Sequence, residues 1–383
     1  MIFDSGSLFG MPWETIAKAY RDRCGSKPHN ELLGYAKDFF DFIISDGHLF
    51  PREYQEEQFI SHMDDVVLRT CRVITPEEAD IKDKDKSQID ELIKQKFGSF
   101  AVMVRGTPYI EGCDGDCAEL ETLAKAFKDR VLKSVEDTDL FKAVVPAIGW
   151  DTIFELAVTA LMRKNWTTLP TTGLVFAGYG ENQHFPHLHH FTCYGIVLGK
   201  LLCSPDNRNN VSTNHQNISE IIPLAQSEMV DTFICGASMS ALEEIDKHFV
   251  QAIDEYTDAI TASGNMNALD DPAIKIIDGL KENSKTKFQD LTTDYLSRQH
   301  TVPLRNVVGM LSIDELASLA ETLISIESLK ERVTRPTESV SGPIDVAVIS
   351  KSDGFIWIQR KHYFDTKLNP SFVARRNLRL GDA

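Results

Sequence analysis

Residues Gly173–Leu202 read GLVFAGYGENQHFPHLHHFTCYGIVLGKLL, and the reading of this stretch decides the class of fold. Gly173 to Gly178 is a short apolar run bounded by glycines, the length of one strand and too short for a helix. Phe191 to Leu202 reads as a second strand. Ile218 to Leu224 reads as a third, after a polar loop from Ser204 to Asn217 rich in Asn and Ser. Far downstream, Ile344 to Ile349 and Phe355 to Ile358 flank Ser352-Asp353-Gly354. Asp-Gly between two apolar runs predicts a β-hairpin.

Helices surround these strands in the pattern. After a short strand and a glycine turn over residues 1 to 10, Pro12-Trp13-Glu14 starts a helix, with proline suited to a first turn and Glu to its positive end. Trp13, Ile16, Ala17 and Tyr20 repeat with helical period. Leu32, Tyr35, Phe39, Phe40 and Ile43 mark a second amphipathic helix. Residues 51–97 are highly charged and helical in composition, and Pro76 to Lys96 carries little core-forming surface. A strand is expected at Phe100 to Val104 and helices at about Glu119 to Val135 and Asp151 to Lys164. Helical patterns then fill Ser227 to Arg332, broken by a loop at Ser263 to Asp271. The last helix has Ile313, Leu316, Ala317, Ala320, Leu323 and Ile324 on its apolar side. No internal repeat is found. The order of elements predicts an α+β protein.

Composition narrows the function. The chain has 383 residues, 42% hydrophobic and 25% charged, with formal net charge -17. Such a surface repels phosphate backbones, so nucleic acid is not the expected partner. The one dense basic cluster, Arg375, Arg376 and Arg379, reads as a solvated tail. No run of 18 apolar residues is present, so no membrane span is expected. The N-terminus does not read as a secretory leader, which leaves the cytoplasm as the expected compartment. The sequons at Asn165, Asn210 and Asn217 are then accidental. The seven cysteines, an odd number, suit reduced thiols. Cys113 and Cys117 have a spacing open to a metal or a disulfide, but no second Cys/His pair with zinc-like spacing follows.

Four segments, in order, resemble the proteasome β-subunit branch of the N-terminal-nucleophile hydrolases. Ile2 to Tyr20 runs from strand through glycine turn into helix. Gly173 to Gly180, then Phe185-Pro186, an aromatic strand and Gly195, is similar to the family's valine-alanine-glycine-tyrosine strand and its hairpin. Ile221 to Ala225 leads into a helix at Ser227. Ser339 to Ile349 with Asp353-Gly354 resembles the serine-glycine turn and C-terminal hairpin. The resemblance covers about half the chain. It implies a four-layer αββα sandwich over residues 1–383 as one domain, in which 46–140 and 240–310 are helical insertions. It predicts strands 173–178, 191–202, 218–224, 344–349 and 354–359 in two stacked sheets. No cofactor is expected. Self-association or ring assembly is the partner class that the resemblance implies.

The chemistry of that superfamily needs a Thr, Ser or Cys whose own α-amine accepts the proton, an amine with an ordinary pKa of about 7.7–8.0. Here the chain begins Met1-Ile2-Phe3. The expectation is therefore a catalytically incomplete chain, with the nucleophile upstream of Met1 or lost; the alternatives are an active peptidase or amidohydrolase whose nucleophile lies upstream of Met1, and a non-catalytic assembly subunit. Supporting residues are assigned from the resemblance. Gly6 stands where a backbone N–H would serve as oxyanion donor, or simply makes a turn. Ser341-Gly342 matches the serine-glycine turn, and Glu338 stands where the family has Asp. Ser227 lies near the family's helix-start serine, or is a plain N-cap. Exposure of Ser5 or Ser7 by cleavage would remove the start of the matched strand, and the family's nucleophile sits on a different strand. Separately, His184, His187, His189 and His190 fall within seven residues and offer a metal site. On an extended strand His187 and His189 share a face, and His190 takes the other.

Overall fold

The computed structural model describes the chain except for residues 1, 4–6, 9, 26, 83, 111–116, 165, 167–168, 207–209, 225, 263–270, 335–341, 361–363, 373 and 376–383. It is an α+β protein that divides into two compact units, residues 1–212 and 213–383. In chain order the first unit holds β1 (Ile2–Phe3), β2 (Ser7–Leu8), β3 (Met11–Pro12), α1 (Trp13–Cys24), α2 (Leu32–Ser45), α3 (Arg52–Ile74), α4 (Glu78–Ile81), α5 (Lys86–Gly106), α6 (Cys117–Lys125), α7 (Lys128–Val135), α8 (Asp139–Ile148), α9 (Trp150–Leu161), β4 (Thr172–Gly178), β5 (His187–Val197), β6 (Lys200–Pro205) and β7 (Val211–Ser212).

The opening stretch folds as an antiparallel meander. The sheet order is β1-β4-β5-β6, and β7 also pairs with β5. Leu174 lies opposite Phe191 and Val175 opposite His190. Alternation sends Leu174, Phe176, Phe191 and Cys193 to one face. There they meet the stripe Leu32, Ala36, Phe39 and Ile43 of α2, spaced as one helical side, together with Trp13 and Ile16 of α1. Rings cross edge to face, Phe39 on Phe176 at 5.7 Å and Phe40 on Phe191 at 5.0 Å. Each such buried side chain contributes about 1.5–3 kcal/mol.

A second core of this unit is helical. Phe59, Met63, Val66, Val67, Cys71 and Ile74 of α3 form one buried stripe. It joins Ile93, Phe100 and Val104 of α5, Val131 and Val135 of α7, Phe141 and Val144 of α8, and Ile153, Phe154, Ala157 and Leu161 of α9. Thus the helices within 46–140 and α9 share one interior. Helices α8 and α9 are apolar together and bend by 110° at their junction, where Gly149 takes φ 91°. No single described helix is long and apolar enough to cross a membrane.

Several expected elements fold otherwise. Phe100 to Val104 lies inside α5, not in a strand. Ile93, Phe100, Ala101 and Val104 recur with helical spacing, and that period outweighs the strand preference of a short apolar run. The single strand expected over Phe191 to Leu202 is a hairpin of β5 and β6 turning at Leu198-Gly199. Both turn residues have positive φ, 49° and 87°, the twist a two-residue hairpin requires. Leu198 is no natural occupant of that conformation, but its side chain packs on the helical core. The helix expected over Glu119 to Val135 is two helices, α6 and α7.

The second unit holds α10 (Glu228–Cys235), α11 (Met239–Ala262), α12 (Asp271–Leu296) continued by a π-helical turn (Ser297–Thr301), α13 (Val302–Val308), α14 (Ile313–Thr334), β8 (Val346–Ser350), β9 (Gly354–Gln359) and a 3-10 turn (Thr366–Leu368). Strands β8 and β9 form the expected Asp-Gly hairpin, with Gly354 at φ 71°. The expected strand Ile218 to Leu224 has no regular structure. Side chains fasten it instead: Ser219 donates to the Arg305 carbonyl at 2.5 Å, Glu220 pairs with the Arg305 guanidinium, and Ile218 fills the space above Gly309. Pro223 lacks the N–H a ladder needs. The last helix is also rotated from the expected register. Ala317, Leu323, Glu327 and Glu331 are buried, while Ile313, Leu316 and Ile324 are exposed. Among the described residues the first unit therefore holds the five-stranded sheet and a two-stranded β2–β3 ribbon, and the second unit the two-stranded β8–β9 hairpin.

Candidate functional site

The residues assigned from the family resemblance are only partly described. Gly6, Glu338 and Ser341 lie outside the described residues, as does Cys113. Gly342 takes φ 95°, a conformation that favours glycine and suits the expected turn before β8. Ser227 occupies the N-cap position of α10, but its hydroxyl does not cap the helix. It donates to Asp231 Oδ2 at 2.6 Å.

Ser227 lines a cavity of about 260 Å³ with Gln226, Glu228, Asp231, Met239, Glu327 and Glu331. The buried carboxylates Glu327 and Glu331 stand one turn apart on α14. Glu327 accepts the Met229 N–H at 2.8 Å, so a carboxylate meets the positive end of α10. Lys330 reaches Glu228 at 2.5 Å. The described groups around this cavity are mainly carboxylates and hydroxyls, which suit hydrogen-bond donors. Sequence reasoning missed both glutamates. Their signal was available, since 323, 327 and 331 continue one helical stripe.

The histidines separate as strand alternation predicts. His187 and His189 share a face, ring centroids 6.3 Å apart and nearly parallel. Ser212 Oγ lies 2.8 Å from His187 Nδ1. His190 is on the opposite face, 3.5 Å from Asp206. His184 sits in the turn before β5 and is exposed. His184, His187 and His189 are not assembled as a ligand set, and among the described residues no group of three His, Cys, Asp or Glu is placed to hold a metal. Two features of this sheet were not anticipated. Cys193 and Cys203 are directly opposed on β5 and β6, with hydrogen-bonded thiols. The segment around His29 to Leu32 docks on the turn after β4: Gln183 Oε1 accepts the Leu32 and Gly180 N–H groups, and Glu181 N donates to the His29 carbonyl.

Two histidines give the first unit a pH dependence. Burial lowers the pKa of His189, reinforced by His187 and opposed by Glu31. Burial lowers that of His62, opposed by Asp65. A depressed histidine is neutral in the fold and protonates more readily when unfolded, so its contribution is complete above the ordinary value of 6.5 and is lost as pH falls below it. The denaturant midpoint of the chain should fall between about pH 7.5 and about pH 5.5. The double variant His62→Gln/His189→Gln should flatten that slope. An unchanged slope in the variant would refute the assignment. Asp64, raised by burial, works in the opposite sense but in the carboxylate range at lower pH.

Comparison with known families, curated proteins and solved structures yields no match.

Proposed function

We propose that this chain is a proteasome-like protein of the N-terminal-nucleophile type that acts through association, as an assembly subunit rather than a working peptidase. The four-layer αββα sandwich is the finer form of the fold in this proposal. The meander at 172–205, with α1 and α2 on one face, and the Asp-Gly hairpin after Gly342 support the resemblance.

One observation carries the association reading. Among the described residues of 213–383, only five apolar side chains are buried: Val230, Val308, Ala317, Leu323 and Val346. Among the described residues, all the exposed large apolar side chains except Ile44, Val73, Val102 and Met103 lie in this unit. Every residue of β9 is exposed, including Phe355, Ile356, Trp357 and Ile358. Scattered surface apolar groups are ordinary, but contiguous ones mark contact surfaces.

The test pairs sedimentation across a dilution series with a hydrolysis assay. The 383-residue chain is expected to associate reversibly, to leave peptide substrates intact and to resist electrophiles that trap amine-activated nucleophiles. Adducts are mapped by mass spectrometry and repeated with the cysteines replaced. A chain monomeric at every concentration contradicts the association reading. Peptide turnover that Ser341→Ala abolishes favours the rival reading, a peptidase or amidohydrolase.

A further inference from the structure

Helices α11 and α12 form an antiparallel pair whose own seam is settled by contacts. Phe249 stacks on Phe288 at 4.1 Å, Asp254 binds Lys281 at 2.7 Å and Lys285 at 3.4 Å, and Gln289 donates to Asp246 at 2.9 Å. Despite lengths of 24 and 26 residues, no described side chain of either helix is buried. Counted at about 100° per residue, Ile245, Ala252 and Tyr256 lie about 20–60° to one side of Phe249, and Leu280, Leu291 and Tyr295 lie about 20–80° to the same rotational side of Phe288. In two antiparallel right-handed helices, the same offset from the seam turns both stripes to the same side of the pair. One broad face of the hairpin thus carries Ile245 at 53%, Tyr256 at 68%, Leu280 at 60%, Leu291 at 61% and Tyr295 at 60% exposure.

We propose that this face is covered by the same face of a second copy, making an intermolecular four-helix bundle. The proposal rests on the association reading above and names its surface. Area is the first argument. Helices of this length run roughly 36–39 Å, and two packed side by side present a face roughly 20 Å wide. That gives about 700 Å² per chain, close to the roughly 800 Å² per partner of a stable interface.

Charge sets the arrangement. Helix α11 carries Glu243, Glu244, Asp246, Asp254, Glu255 and Asp258 against Lys247, whereas α12 sets Lys275, Lys281, Lys285 and Lys287 against Asp271, Asp278, Glu282, Asp290 and Asp294, so α11 is strongly acidic and α12 close to neutral. Laying α11 on the partner's α11 sets the two acidic helices against each other; laying it on the partner's nearly neutral α12 relieves that repulsion and brings the α12 lysines within reach. A two-fold axis parallel to the helices gives the second arrangement, with α11 antiparallel to the partner's α12. The seam pairs 249 with 288 and 246 with 289, and this axis keeps those levels. Tyr256 then meets Leu280 of the other copy, Ile245 meets Leu291, and small Ala252 meets small Ser284.

The full chain tests this in two ways. Ile245→Glu/Leu291→Glu should lose the dimer at concentrations where the parent chain is dimeric, with an unchanged circular dichroism spectrum. Separately, chains bearing Tyr256→Cys and Leu280→Cys, mixed and oxidised, should form a disulfide between positions 256 and 280, mapped by mass spectrometry, while the Tyr256→Cys chain alone should form none between its copies at 256. A double variant that associates like the parent, or 256-to-256 linkage, overturns the bundle and leaves association itself intact. A parent chain that never associates overturns both.

Discussion

Replacing Phe39 by Ala is expected to cost the first unit about 3–5 kcal/mol, the range for truncating a fully buried aromatic side chain. Phe39 is fully buried and touches rings from three elements: Trp13 at 6.4 Å and Tyr20 at 5.1 Å on α1, Phe40 at 6.2 Å on its own helix, and Phe176 at 5.7 Å on β4. Deleting its ring removes the apolar transfer contribution and leaves a void between a helix pair and a sheet, where regular backbone limits collapse. Phe355→Ala, on the exposed strand β9, should change stability little, because exposed substitutions usually fall within about 0.5 kcal/mol. Chemical denaturation of the two variants gives the comparison directly. Equal losses would mean that the core is not where the buried rings place it.

The second large effect is expected from one added methyl group. A Cβ at Gly180 would lie 2.3 Å from Glu31 Cα, 2.4 Å from the Asn30 carbonyl oxygen and 2.5 Å from Glu31 N. All three are backbone atoms, so no side-chain rotation relieves the overlap. Gly180→Ala must push the 29–32 segment off the turn after β4 and break the bonds that hold it there, Leu32 N–H to Gln183 at 3.0 Å, Glu181 N–H to the His29 carbonyl at 2.9 Å and Asn182 N–H to the Asn30 carbonyl at 3.0 Å. Overpacking of this kind costs about 1–3 kcal/mol, occasionally more, and net loss of each hydrogen bond adds about 0.5–1.5 kcal/mol. Gly199→Ala and Gly47→Ala meet no atom within 4 Å, so they serve as controls for the methyl group itself, although Gly199 also carries a positive φ that adds strain. A Gly180→Ala chain as stable as Gly47→Ala would show that the docked segment contributes nothing.

What the sequence disclosed follows the strength of each local signal. Helices α1 and α2 announce themselves by period, and β4 by its glycine bounds. The β8–β9 hairpin is written in Asp353-Gly354. Errors arose where a short apolar run was read without its neighbours. Phe100 to Val104 looks extended alone, yet Ile93 and Phe97 set it on a helix. Ile218 to Leu224 has strand composition, but Pro223 and the side-chain ties to Arg305 decide its conformation. The candidate sites were less legible, because they depend on pairing between distant segments. Nothing local to Cys193 reveals that Cys203 lies opposite it. Glu327 and Glu331 are charged, and a reading that sends charge to solvent misses their burial against α10. In contrast, the division of His187 and His189 from His190 needs only the two-residue period of a strand, and it was readable in advance.

The uneven placement of buried apolar groups also bears on how the chain opens. Amides of α3 and α9 lie in a continuous interior, so their protons should exchange only when that interior comes apart. Those of α11 and α12 are backed by one aromatic stack and a few ion pairs, so brief separation of two helices suffices to expose them. Binding that favours the closed hairpin would slow their exchange in proportion to occupancy. Under the proposed dimer, protection of this helix pair should rise with protein concentration, while protection of α3 should not.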